Sequence, residues 1–361
     1  MASRSPKKPN ATGVQTVVWS LRRRIGGWYG ALKRRVADFR SRRPHRSFRL
    51  SRRRDYVRSL RLPGYWAFTI YVFRTLKSRR ALFLLLVLIY TVFSVVLGTM
   101  TSQETYQQMS QALEGGTKSV ASGNWAELTK AGVLSVAAFT NGLTQLSDVQ
   151  QLYLGITVIL TWLSAVWLLR EMLAGRKPNL RDGLYNGAAP LVSTVLVALY
   201  LLLQSLPIWI VAIAYAGLAS VGIISEGFAT YLFSAIAVVV VALTLYWMTS
   251  TFFALVIVTL PGMYPSRALR AGGDLVVGRR LRIIYRLLWM ALLASIVWLV
   301  IMIPLVLGQK WLSDHVSWTW LSWLPVIPFF ASILSTSTAV WMASYIYLLY
   351  RKVVDDDSAP A

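Results

Sequence analysis

The chain predicts an all-α fold: a polytopic membrane helical bundle with six transmembrane helices and a basic, partly amphipathic N-terminal arm. Three observations carry this. Hydrophobic residues fill 56% of the 361 positions and charged ones only 14%, a balance that ordinary soluble domains do not show. Residues 81–100 read ALFLLLVLIYTVFSVVLGTM, without a charge, and twenty helical residues rise about 30 Å, the hydrocarbon thickness of a bilayer. Charge is also segregated. Residues 1–80 hold 23 Lys and Arg against Asp38 and Asp55, which is +21 of the total +24. Such an arm calls for a polyanion, lipid headgroups or nucleic acid.

The arm, residues 1–80, begins with a polar stretch expected to be disordered. From Val14 an apolar period appears at Val18, Leu21, Ile25, Trp28, Leu32, Val36 and Phe39, with Arg22, Arg23, Arg24, Lys33, Arg34 and Arg35 between. This is a cationic amphipathic helix weakened by Gly26-Gly27 and ended by Pro44. Pro63-Gly64 marks a turn. Tyr65, Trp66, Phe68, Tyr71, Val72 and Leu76 then mark a short interfacial helix, since a membrane–water boundary selects Trp and Tyr beside basic groups. A cleavable signal peptide is not expected, because the first long apolar run starts too late and is too long. An Arg-rich, acid-poor amino terminus is also the composition of an organellar transit peptide.

The membrane domain is expected over residues 81–350, with spans at about 81–100, 152–169, 188–222, 229–260, 287–307 and 320–350. Residues 101–151 form a polar loop, with helices expected around 104–114 and 125–143. The third span contains Pro207, and either a kinked helix or two half-helices meeting there would explain its length. Residues 351–361 form a short acidic tail. With the amino terminus cytoplasmic, the outer loops hold only Lys118, Lys130 and Lys310, while the other 35 basic residues lie inside. The positive-inside rule therefore puts both termini in the cytoplasm.

Composition excludes much chemistry. There is no Cys, so disulfides, thiolate nucleophiles and Cys-bound metals are ruled out. No acid, base or His falls inside an expected span, whereas many coupled carriers keep such groups at mid-membrane. His45 and the Asp314-His315 pair have no third catalytic partner, and no HExxH, phosphate-loop or GxSxG motif occurs. The sequence points to no catalytic residue, metal or cofactor.

The most specific stretch is TLPGMYPSRALRAGGDLVVGRRLRIIYR. After Pro265 it reads as a helix with Leu269, Val276, Val277, Ile283 and Ile284 apolar, and Arg267, Arg270, Arg279, Arg280, Arg282 and Arg286 basic. Gly272-Gly273 and Gly278 would permit close approach of another helix. Arg267, Arg270, Arg279, Arg280 and Arg282 are candidate lipid-headgroup contacts, as are the six basic residues of the arm helix; an orientation anchor is the alternative reading. The connector WLLREMLAGRKPNLRDGLYNGAAP has a similar plan, explained either by an internal repeat or by charge alone.

The stretch after the fourth span resembles a motif of six-span bacterial membrane proteins, including the membrane domain fused to some glycerophosphodiester phosphodiesterases. Ala268-Leu269, Leu275 and Gly278 match, with Gly272 where Ser is usual. The resemblance implies the six-span fold; the soluble phosphodiesterase domain is missing, so its activity is not implied. RRRDYVRSLRLPGYWAF resembles the arm of uncharacterised small-genome bacterial membrane proteins.

The reading that follows is a non-enzymatic plasma-membrane protein whose arm binds anionic phospholipid of the inner leaflet. Its role would be structural or complex-organising, with membrane proteins as further partners. Two alternatives stay open. A permease for a lipid or small solute would use a cavity or hinge around Pro207, Gln204 and Ser205. A nucleic-acid tether would use arm aromatics such as Trp19, Trp28, Phe39, Phe48 and Tyr56 for stacking.

Overall fold

The computed structural model describes residues 62–98, 148–220, 228–315 and 326–358, together with Arg34. The chain divides into two compact units, Met1–Arg58 and Ser59–Ala361. Arg34, helical and exposed, belongs to the first. Arg22, Arg23, Arg24, Lys33 and Arg35 lie outside the described residues, as do the helices expected in residues 101–147.

Among its described residues the second unit consists of helices joined by short turns, with no strand. In chain order the helices are α1 (Tyr65–Ser78), α2 (Arg80–Gly98), α3 (Asp148–Leu173), α4 (Leu180–Gly187), α5 (Leu191–Ser220), α6 (Phe228–Ile257), α7 (Pro265–Val276), α8 (Arg280–His315) and α9 (Val326–Ser358). The long ones, α2, α3, α5, α6, α8 and α9, are each long and apolar enough to cross a membrane.

Two spans differ from the expectation. The fifth starts at Arg280 rather than near 287, so Arg282 and Arg286 lie in its first turns. The sixth does not end before the acidic tail; α9 runs through Arg351 and Lys352 to Ser358.

Both apparent breaks in the apolar segments are bridged. α5 continues through Pro207 and α8 through Pro304, so the two-half-helix reading of the third span does not hold. A proline removes one backbone hydrogen bond, and a helix packed in a bundle tolerates that.

The connector after α6 does break, where one continuous helix was expected. Val277 leaves the helical region, Gly278 takes φ +78°, and α8 starts two residues later. Only glycine adopts that dihedral without strain. Gly278 thus makes the turn between α7 and α8.

Alternating spans place α1, α4, α7 and the end of α9 at one end of the unit. Apart from Lys310, every described Lys and Arg of this unit is there, so we call it the basic end. Burial is concentrated in the same half. Phe83, Leu86 and Tyr90 of α2 meet Ala165, Val166, Leu168 and Leu169 of α3 and Ala343 to Leu349 of α9. α3 and α9 are the central spans, with 44% and 39% of their apolar windows buried, against 6% for α5. α5 packs chiefly on α6 and stands at the periphery.

α1 starts after Pro63-Gly64, where the Phe68 N–H donates to the Gly64 carbonyl at 2.9 Å. It lies across the basic end. Phe68 and Val72 are buried, with Phe68 edge-on to Tyr345 at 4.8 Å, while Trp66, Ile70 and Phe73 are exposed on the opposite stripe. α1 thus packs on the protein along one stripe and leaves the other exposed.

Two arginines fasten this end. The Arg286 side chain is buried, donates from Nη2 to the Pro63 carbonyl, and lies 4.2 Å from the Tyr65 ring centre. Arg279, 3% exposed, donates from Nη1 to the Val353 carbonyl at 3.2 Å, and its Nη2 lies 3.6 Å from Asp356 Oδ2. The acidic tail is therefore the counter-charge of a buried arginine.

Small residues let the short helices sit close. A Cβ on Gly272 would meet the Ser250 carbonyl oxygen at 2.6 Å and the Ala254 nitrogen at 3.1 Å; one on Gly273 would meet nothing within 4 Å.

Two stability results follow, each read as thermal unfolding in detergent. Gly272→Ala is expected to cost about 1–3 kcal/mol through overpacking, while Gly273→Ala is unchanged or up to about 1 kcal/mol more stable. Arg279→Met removes the contacts of a buried guanidinium with Val353 and Asp356 and is expected to cost about 3 kcal/mol, part of it recovered in Arg279→Met with Asp356→Leu. Equal behaviour of the two glycine variants, or no recovery in the double variant, would contradict these contacts.

Candidate functional site

The two connectors at the basic end are built alike. α3 ends in a left-handed glycine cap: Gly175 has φ +79°, its N–H bonds the Met172 carbonyl, and the Arg176 N–H bonds that of Glu171. This satisfies carbonyls that the helix end would leave bare. α6 ends in a Pro261-Gly262 turn, with Gly262 at φ +72° and the Met263 N–H on the Leu260 carbonyl.

Each short helix then starts from an extended residue, Asn179 (φ −89°, ψ 153°) or Tyr264 (φ −86°, ψ 151°). Small residues recur four and eight positions on. They are Gly183 and Gly187 in α4, and Ala268 and Gly272 in α7, all buried. A Cβ on Gly187 would lie 3.1 Å from Ser164 Cα in the preceding span, as one on Gly272 would crowd Ser250. The likeness between the connectors is therefore one of backbone and packing as well as charge.

Between them lies a cavity of about 430 Å³, within the range of ligand pockets. Leu163, Trp167 and Arg170 from the end of α3 form one wall, Asn186, Gly187, Ala189, Pro190 and Ser193 a second, and residues 258–264 a third. Arg170 carries the single formal charge among these residues. Its Nη1 donates to the Thr259 carbonyl at 3.0 Å, so it joins the two connectors.

Glu171 is shared between two arginines and offsets the Arg170 charge only in part. It is held by Arg176, with Nε 2.5 Å from one carboxylate oxygen and Nη2 3.2 Å from the other, while Arg170 Nε stands 3.9 Å away. A bidentate pair is the stronger partner.

Around the expected cavity or hinge the polar side chains bond to near neighbours. Gln204 Oε1 accepts a hydrogen bond from Thr251 Oγ1 at 2.7 Å, tying α5 to α6. Ser205 Oγ donates to the Leu202 carbonyl in its own helix and accepts from Trp209 Nε1. Pro207 is half-buried in an unbroken helix. The other polar residues of the spans mostly bond within their own helix: Thr157, Thr161, Thr194 and Thr249 each reach the carbonyl four residues back.

The five candidate headgroup arginines of the second connector separate. Arg267, Arg270 and Arg282 are exposed at the basic end, while Arg280 is half-buried with its guanidinium 4.7 Å from the Tyr246 ring centre. Arg279 is taken into the interior, where it meets Asp356 instead of solvent or lipid.

Sequence reasoning counted Arg170 as one more inward-facing charge and missed the cavity. The available signal was the pairing of Trp167 with Arg170 at a span end, followed by Gly, Pro and Asn. No family model, curated protein or solved structure matches the chain.

Proposed function

We propose that this chain is a non-enzymatic protein of the bacterial plasma membrane, with both termini in the cytoplasm. Its arm and basic end bind anionic phospholipid, and it plays a structural, complex-organising part there. The observation that carries this is the gathering of Arg74, Lys77, Arg79, Arg80, Arg176, Lys177, Arg181, Arg267, Arg270, Arg282 and their neighbours at one end of six spans. Each cation near an anionic leaflet contributes about 1 kcal/mol, and the arm adds many more. The exposed Trp66, Ile70 and Phe73 of α1 supply the apolar contact that accompanies such binding. The unbroken α5 and the satisfied Gln204 give the permease reading no support at Pro207.

Orientation is testable because the chain has no Cys. Tyr264→Cys, at a side chain 72% exposed on the basic end, should react with a membrane-impermeant maleimide only after the cytoplasmic face is opened. Trp125→Cys should react from outside, and labelling of both from one side overturns the orientation.

For the arm, the full chain is reconstituted in anionic or neutral vesicles and digested with chymotrypsin. Anionic vesicles should protect the arm, and Gln at Arg22, Arg23, Arg24, Lys33, Arg34 and Arg35 should abolish protection. Equal cleavage in both vesicles, or protection by RNA but not by anionic lipid, overturns the lipid reading.

A further inference from the structure

The cavity between the connectors has the makings of a site for one molecule, as distinct from a charged surface. We propose that it seats the phosphate-bearing headgroup of a single anionic phospholipid, with Arg170 as the cationic partner. This rests on the reading of the basic end as the end that meets an anionic leaflet, and adds to it a defined site.

Charge is the first argument. Arg170 is the single charged lining residue; Glu171 is held by Arg176, and no lining carboxylate opposes an incoming anion. The Arg170 Nη1 is anchored on the Thr259 carbonyl, which fixes the guanidinium plane. Its Nη2 makes no hydrogen bond among the described residues. A planar fork held at one nitrogen is pre-organised for a phosphate oxygen at the other.

Hydrogen-bond capacity is the second. Ser193 lines the cavity in the first turn of α5, where a helix leaves its leading N–H groups without intrahelical acceptors. Such donors add to a cationic site for an anion.

The walls decide between a lipid and a free anion. Leu163, Trp167, Pro190, Leu260 and Tyr264 are apolar or amphipathic, and they stand where α3 and α6 leave the apolar layer. Trp and Tyr at that level suit an amphiphile whose headgroup is polar and whose glycerol end is not. The adjoining α5 is the least buried span and exposes Val192, Leu196 and Leu199 from its first turns onward, an apolar track for acyl chains.

The test is native mass spectrometry of the full chain in detergent, titrated separately with phosphatidylglycerol, phosphatidylcholine and inorganic phosphate. Wild type should retain one phosphatidylglycerol in preference to phosphatidylcholine, and inorganic phosphate should not displace it. Arg170→Gln should weaken retention about tenfold, the loss of one charge-assisted contact. Ala189→Trp, which fills the cavity and leaves Arg170 in place, should abolish it. The six-residue arm variant should retain the lipid unchanged.

If both cavity variants bind as wild type, the site is overturned whatever the arm does. Displacement by inorganic phosphate at equal concentration overturns the lipid assignment. If the arm variant alone loses the lipid, the cavity proposal fails while the arm reading stands. Loss confined to the cavity variants, with no vesicle protection of the arm, supports the site and removes the arm reading.

Discussion

Two buried guanidinium groups, Arg279 just before α8 and Arg286 within it, tie the helices of the basic end together. Arg279, Ile283, Arg286 and Met290 are all buried and recur at helical spacing, so one face of α8 is half apolar and half cationic. A buried cation is tolerated only when its N–H groups find acceptors. Arg279 finds them on the last turns of α9, which carries that helix past its apolar segment into the acidic tail. Arg286 finds one in the carbonyl of Pro63, which draws the start of α1 across the bundle. Between them the two side chains link α1, α8 and α9, although Arg286 Nη1 is buried without a hydrogen-bond partner among the described residues.

The same constraint explains why the unit is packed tightly at one end. Within a bilayer, apolar side chains gain little by leaving lipid for another helix, so association depends on small residues and polar contacts. Here those are concentrated at the basic end. Gly187 and Gly272 bring short helices against spans, Tyr90 bonds Ser164 at 2.7 Å, and Arg170 joins α3 to the end of α6. Further along, contacts such as Trp298 to Thr338, at 3.0 Å, are more isolated. α5, with few polar ties beyond Gln204, stays at the rim.

The cavity is a consequence of that arrangement. Two connectors with the same helix start and the same small-residue spacing press against successive spans. The space left between them is closed by the Arg170–Thr259 bond. A charged side chain that ties the frame together and keeps one donor free is well placed for binding as well as for structure. Partial use of a cation by the protein lowers the entropy lost when an anion takes the rest.

The six spans, the short helix α1 and the segregation of charge were legible in the sequence because each depends on local composition: apolar length, aromatic placement and Lys and Arg density. Of the three glycines expected to admit a neighbouring helix, Gly272 does so, Gly273 has open space and Gly278 makes a turn, a distinction that composition alone does not make. What the sequence left open were the long-range pairings. That Arg279 turns inward to Asp356, that Gln204 is held by Thr251, and that Arg170 reaches Thr259 beside a cavity depend on residues 47 to 89 positions apart meeting in space. Hydropathy assigns a residue to a layer of the membrane; only the packing of helices around one another decides which side chain it meets there.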